Sequence, residues 1–347
     1  MFQLADLKKP VLGLSPMDGV TDAPFRFMTA KYSKPDITFT EFTHVMGMCM
    51  AGDNVLHHFL YDESERPVFG QIFGKEPEYF YHAAKIICEL GFDGVDINMG
   101  CPAKSVATSG SGAGLIRTPD LAREIIAAVR EGVKHWVENG ELTGLKERSY
   151  TAVKAKSNYG DKRELKSVSV KTRIGYDHPV TAEWIKNLDS ANPDWISIHG
   201  RTLKQMYTGH ADWNEIKIGV ESTSKPVLAN GDIKTREDVE KVLEVTGAYG
   251  VLVGQATYGN PWLFNELRGE GKVVKTKEER IKTLIEHTEK FIEIFPDPKI
   301  FVMLRKHFGW YMKDFDGASE LRSKLMQTRT IEEVRKVFEI QPTTLNS

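Results

Sequence analysis

Eight short apolar runs recur through the first two-thirds of the chain, each separated from the next by a longer amphipathic segment. They are VLGL (11–14), ITFT (37–40), PVFGQIF (67–73), GVDIN (94–98), VSVKT (168–172), WISIH (195–199), PVLAN (226–230) and GVLVG (250–254). Continuous apolar runs bounded by Gly, Pro and polar turns mark strands buried on both faces. The intervening segments, such as PEYFYHAAKIICELG and TREDVEKVLEVTG, carry apolar residues at helical spacing and close on Gly. Eight strand–helix units over residues 1–268 predict an α/β fold, a closed (β/α)8 TIM barrel. The doubly wound alternative fits less well, because the first turn, LGLSPMDG, lacks the Gly-x-Gly-x-x-Gly of a dinucleotide site.

After GNPWLF (259–264) the strand runs stop, and charged sequence of helical period continues. This predicts a C-terminal helical-bundle domain over residues 275–347, joined through RGEGK. One segment exceeds what a barrel needs. Residues 138–166 separate the fourth helix from the fifth strand, where about 2–6 residues usually suffice. A solvated hairpin or irregular flap on the bottom face is the expectation, although residues 134–166 hold 8 basic and 5 acidic side chains.

Composition narrows the class. No apolar stretch approaches the roughly 20 residues of a membrane span, and the N-terminus MFQLADLKKP lacks a signal-peptide core. A cytoplasmic protein without membrane attachment is expected. The three cysteines lack the spacing of a disulfide framework or a zinc site, so no metal is expected. Net charge is −2, yet residues 271–347 carry 15 Lys and Arg against 12 Asp and Glu. That mild basic excess suits a solvated helical surface or an RNA-binding face about equally.

Polar residues gather where the runs end: Ser15 to Gly19, Glu41, Gln71, Asn98 with Cys101, Lys171 with Arg173, His199 with Arg201, Asn230 to Asp232, and Gly254 with Gln255. In such barrels the C-terminal strand ends converge on one mouth, where catalysis occurs. ANGDI and VGQATYGNP follow the seventh and eighth strands, the usual place for a phosphate held by backbone N–H groups. Lys171 and His199 lie on neighbouring strands, placed to face the polar edge of a planar cofactor, and a lysine there stabilises charge on a reduced flavin. Together these point to FMN. Cys88 falls at an apolar helical position, whereas Cys101 sits just past a strand between Gly100 and Pro102, where a thiol faces a pocket.

The segments LSPMDGVTDAPFR, GQIFG, DINMGCPAK, VKTRIG, IHGRT with YTGHADW, ANGDI, GNPW and RKHFGWYMKDFDGASELR resemble, in order and over nearly the whole chain, the tRNA-dihydrouridine synthase family. The resemblance implies an FMN-dependent oxidoreductase that reduces uridines in tRNA to 5,6-dihydrouridine with NADPH. It places Pro16 and Met17 against the flavin, with Gln71, Lys171 and His199 at its ring or ribityl chain. Asn230, Gly231, Asp232, Gly254 and Gln255 fall at the phosphate end. Asn98 and Arg201 lie where the family handles the uracil, and Cys101 is the implied proton donor. The implied helical tail contacts tRNA through Arg305, Lys306 and His307, with Arg322 and Lys324. One departure stands out: the family carries Gly-Arg where this chain has Gly254 and Gln255. Rival readings are an FMN barrel of dihydroorotate dehydrogenase type acting on a free pyrimidine, and a non-catalytic tRNA-binding protein.

Overall fold

The computed structural model describes residues 1–270 and 275–339. The eight apolar runs appear as strands β1 (Val11–Leu14), β2 (Thr38–Phe39), β4 (Val68–Phe73), β5 (Gly94–Met99), β6 (Ser167–Arg173), β7 (Trp195–His199), β8 (Val227–Asn230) and β9 (Gly250–Val253). An additional two-residue strand, β3 (Thr43–His44), pairs with β4. Every pairing in the sheet is parallel, in the order β1-β9-β8-β7-β6-β5-β4-β2. A parallel bridge between Gly13 and Ile37, with the Leu14 amide donating to the Ile37 carbonyl at 3.0 Å, closes the sheet into a barrel.

The chain divides into two compact units, one of residues 1–23 and 35–254, the other of residues 24–34 and 255–347. In the first, strand alternation sorts the barrel interior into layers. Val11, Phe69, Trp195, Leu228 and Leu252 form an apolar floor with Ile37, Phe39 and Leu4. Phe2 closes this floor edge-on against Phe69 and Trp195, at ring separations of 5.5 and 6.1 Å. Two residues further along the strands the interior turns polar, with Gln71 on β4, Ser197 on β7 and Asn230 on β8.

The segment expected as a solvated flap is partly a helix, Glu147–Ala155, with Ser149 and Val153 buried. The segment is held at both ends by the barrel unit. Its start meets the helix Val45–Met50, where the Lys146 amide donates to the Cys49 carbonyl at 3.0 Å. Its end meets Glu89, whose buried carboxylate accepts from Trp136 Nε1 (2.8 Å), Lys154 Nζ (2.7 Å) and Ser157 Oγ (2.9 Å). With one fully buried apolar residue, Val153, the helix has too weak a stripe for periodicity to reveal.

The second unit is helical, with Lys277–Ile294, Arg305–Tyr311, Ala318–Leu325 and Ile331–Glu339 gathered on a core of Phe291, Leu304, Phe308, Tyr311 and Leu321. Expected boundaries shift here. Most of the helix Ala23–Ser33 belongs to this unit: Lys31 and Tyr32 bond Glu286, and Phe25 lies 6.3 and 5.7 Å from the rings of His287 and His307. The unit also begins at Gln255 rather than at 275. The end of the expected linker RGEGK, at 271–272, and residues 340–347 of the expected tail lie outside the described residues.

Candidate active site

Strand register brings the sequence-predicted barrel residues into one polar interior. Gln71 stands beside Asp96, Asp96 beside Ser169, Asn98 beside Lys171, Arg173 beside His199, and His199 beside Asn230. Cys101 follows β5 on a turn held by one side chain. Asn98 Oδ1 accepts the Gly100 amide at 3.0 Å and the Cys101 amide at 2.8 Å. Arg173 braces the same turn, its Nε donating to the Gly100 carbonyl at 2.7 Å and its Nη1 to the carbonyls of Thr202 and Met206. The Cys101 side chain is buried, and burial pushes its thiol up from the ordinary value against the opposing pull of the Ala103 amide. The group is therefore held as a neutral thiol at neutral pH.

Three cations line this interior. Burial lowers Lys171 to about 8, with the charge of Arg173 adding to the effect and Asp96 opposing it. Lys171 has no hydrogen-bond or ion-pair partner among the described residues. Burial likewise lowers Arg173 to about 10. His199 is pushed well below the usual histidine range by burial and then by Arg173, Lys171 and Arg201, so it is neutral. Its Nε2 faces the Arg201 guanidinium at 3.3 Å, which makes Nε2 the acceptor and leaves the proton on Nδ1. Ser197 Oγ, on the strand between Lys171 and Asn230, is buried without a hydrogen-bond partner among the described residues.

Arg201 is itself buried and gripped by Asp232 through two contacts of 2.7 and 2.8 Å. Asp232, expected at the phosphate end, has its carboxylate engaged by protein groups: it accepts from Arg201 and, at 2.7 Å, from the Ala211 amide. Partial burial pushes this carboxyl upward, but those bonds outweigh it and hold it below the usual range, as an anion. What the segment can offer a phosphate is backbone. Gly231 at φ +119° and Asp232 at +58° leave the ordinary region in succession, a step for which glycine is suited. Asn230 directs its Nδ2 to the Leu252 carbonyl at 2.8 Å.

At the end of β9, Gly254 leaves room for Met17: an added Cβ would meet its sulfur at 3.1 Å. Met17 and Pro16 are half-buried, and Thr21 Oγ1 accepts the Met17 amide at 2.9 Å. Gln255 is the exposed first residue of the second unit, on the turn Gln255–Thr257.

The tail residues divide. Arg305 and Lys306 are half-buried, and Arg305 Nη2 donates to the Thr328 carbonyl at 3.1 Å. His307, expected to contact tRNA, lies in the interior of the second unit. It is buried among Phe25, His287 and Trp310, and burial pushes it well below the usual range, with His287 and Lys306 adding to the effect. There it packs as a neutral imidazole.

Sequence reasoning passed over Asp96 and Ser169 and gave Arg173 no role. All three sit two residues from an assigned position on the same strand, so the alternation of β5 and β6 was the available signal. Among the described residues no group of three or more His, Cys, Asp or Glu is placed to hold a metal ion, and no helix is long and apolar enough to cross a membrane.

Comparison with known proteins bears on this site. The family model for dihydrouridine synthase matches residues 13–155 and 147–345. A probable tRNA-dihydrouridine synthase of Staphylococcus aureus (strain COL) is 33% identical over 344 residues, covering 96% of this chain and 94% of that protein. Probable tRNA-dihydrouridine synthase 2 of Bacillus subtilis (strain 168) is 32% identical over 347 residues, with the same coverage.

Proposed function

The chain belongs to the dihydrouridine synthase family, and from that premise we propose that it is a flavoenzyme reducing selected uridines of tRNA to 5,6-dihydrouridine in the cytoplasm. FMN is the proposed cofactor and NADPH the proposed reductant. The interior fits such a group: the Lys171 ammonium lacks a partner, Ser197 Oγ is orphaned and His199 has an Nδ1–H to donate. Lys171, His199 and Gln71 would hold its polar edge and chain, with Pro16 and Met17 against the ring. The backbone at Asn230, Gly231 and Gly254 would take its phosphate.

When bound and reduced, the flavin supplies hydride to uracil C6. The remaining proton goes to C5, and Cys101 is the group we assign to give it, leaving a thiolate that solvent reprotonates. The observation that carries this reading is the neutral, buried thiol held on the Asn98 turn beside Lys171 and Arg173. A general acid must be protonated at working pH and still able to release its proton, and a thiol meets both demands. The uridine must leave its stack to reach the site, at a cost of a few kcal/mol that is smallest in a loop. Basic residues of the second unit, Lys306 and Lys324 among them, supply backbone contacts to tRNA. The test is mapping dihydrouridine in tRNA from cells with the gene deleted and from the complemented strain. Retention of every dihydrouridine in the deletion strain would sink the reading.

A further inference from the structure

A directed chain of hydrogen bonds runs through the barrel interior to the Cys101 turn. Gln71 Nε2 donates to Asp96 Oδ2 at 2.6 Å, Asn98 Nδ2 donates to Gln71 Oε1 at 3.0 Å, and the Cys101 amide donates to Asn98 Oδ1 at 2.8 Å. Its two ends have fixed polarity. A carboxylate only accepts and a backbone N–H only donates, so each carboxamide between them is held in one of its two orientations. All three side chains are buried, where such bonds strengthen one another and an unmade one is costly. Ser169 Oγ occupies the other Asp96 oxygen at 2.5 Å, and Thr40 Oγ1 fixes the Gln71 backbone amide at 3.0 Å.

We infer that Asp96 is a positioning residue for the Cys101 thiol: its carboxylate orients Gln71 and Asn98, and through them fixes the turn that carries Cys101. The consequence for turnover rests on Cys101 being the proton donor, whereas the positioning itself does not. An isolated carboxylate inside a barrel is otherwise unfavourable. Burial pushes Asp96 up to about 6 even though Gln71, Ser169 and Lys171 oppose the shift.

The probe is iodoacetamide, followed by peptide mass mapping of full-length protein with and without FMN. Cys49 and Cys88 are fully buried and report any global opening. Asp96→Leu removes the acceptor at similar volume. Cys101 alkylation should then rise roughly tenfold, the factor expected from losing one hydrogen bond to a charged group, while Cys49 and Cys88 stay protected. Asp96→Asn keeps an acceptor toward Gln71, because the Ser169 hydroxyl can turn to accept from the new amide, and alkylation should return to the wild-type rate. In tRNA reduction, Asp96→Leu should lower kcat with KM unchanged. An unchanged Cys101 rate in the leucine variant, or no recovery with asparagine, overturns the inference. Should the leucine variant not fold, Gln71→Met cuts the middle link, and a still-protected Cys101 there overturns it instead. Wild-type protein inactive on tRNA would sink the functional reading and leave the alkylation comparison standing.

Discussion

Cys101 and Lys171 divide the proposed chemistry between them, and each substitution should remove one part alone. Cys101→Ala should leave flavin binding and NADPH oxidation nearly unchanged, since neither step needs a proton at uracil C5. Single-turnover tRNA reduction by the pre-reduced variant should fall about 10²–10⁴-fold, the range for losing a positioned general acid. Near-normal reduction would remove Cys101 from the mechanism. Lys171→Ala should instead weaken flavin binding or its reduction, because charge arising on the ring loses an interior cation that has no partner of its own among the described residues. Equal flavin affinity and equal reduction rate in that variant would refute this role. Cys101 was legible in the sequence because it stands just past an apolar run, between Gly100 and Pro102. Asp96 was not, because it sits inside the run GVDIN and looks like an interruption of a strand. The bonds of Asp232 to Arg201 and Ala211 were not legible for another reason: those partners come from a loop, and loop geometry leaves no periodic trace.

At the level of elements, the parallel strands were the most legible part. Burial on both faces makes them continuous apolar runs, and all eight are in the barrel. The insertion was least legible, since its helix is anchored by polar contacts to Glu89 rather than by an apolar stripe. That anchoring sets a prediction. Deleting residues 138–165 should retain flavin but lower the thermal midpoint, because Lys154 and Ser157 leave a buried carboxylate with fewer partners. The cost is about 1–3 kcal/mol, kept modest because Lys154 is largely in solvent. Glu89→Gln in the deletion background should recover part of it. A folded deletion variant without flavin would show that the insertion supports the mouth. The second unit offers a pH test. Burial, followed by the charge of Lys306, lowers His287 to about 3, and His307 is lowered well below its usual value by the same burial. Both are neutral when folded and protonate more readily when unfolded. Their stabilising contribution is therefore present above about pH 6.5 and is lost as pH falls below it, toward about 3 for His287. His307→Phe should make that part of the slope in thermal unfolding between about pH 6 and 4 shallower. An unchanged slope would mean that other groups carry the acid sensitivity.

For the whole molecule, the question is how a chain of net charge −2 grips a polyanion. RNA read by shape and backbone needs a local basic surface rather than a basic protein, and on the proposed reading the excess of Lys and Arg in residues 271–347 would supply the charge. Truncation ahead of this region is a poor test. It would strip Glu286, His287 and His307 from the helix Ala23–Ser33, whose place in the second unit rests on contacts more than 250 positions away in sequence. Such distant partners are why the sequence could not show that this helix belongs with the second unit. Charge substitutions on the intact chain avoid the difficulty. The logarithm of tRNA affinity should fall linearly with the logarithm of salt concentration, as neutralised phosphates release their counterions. Lys306→Ala and Lys324→Ala should each weaken binding and reduce the magnitude of that slope by about one, while NADPH oxidation stays at the wild-type rate. Lys324 gives the cleaner result, because it is exposed and its present partner, Glu320 at 2.7 Å, is one turn away on its own helix. If neither substitution changes the slope, the second unit does not hold the phosphates, and the RNA grip must be sought among the basic residues of the barrel unit.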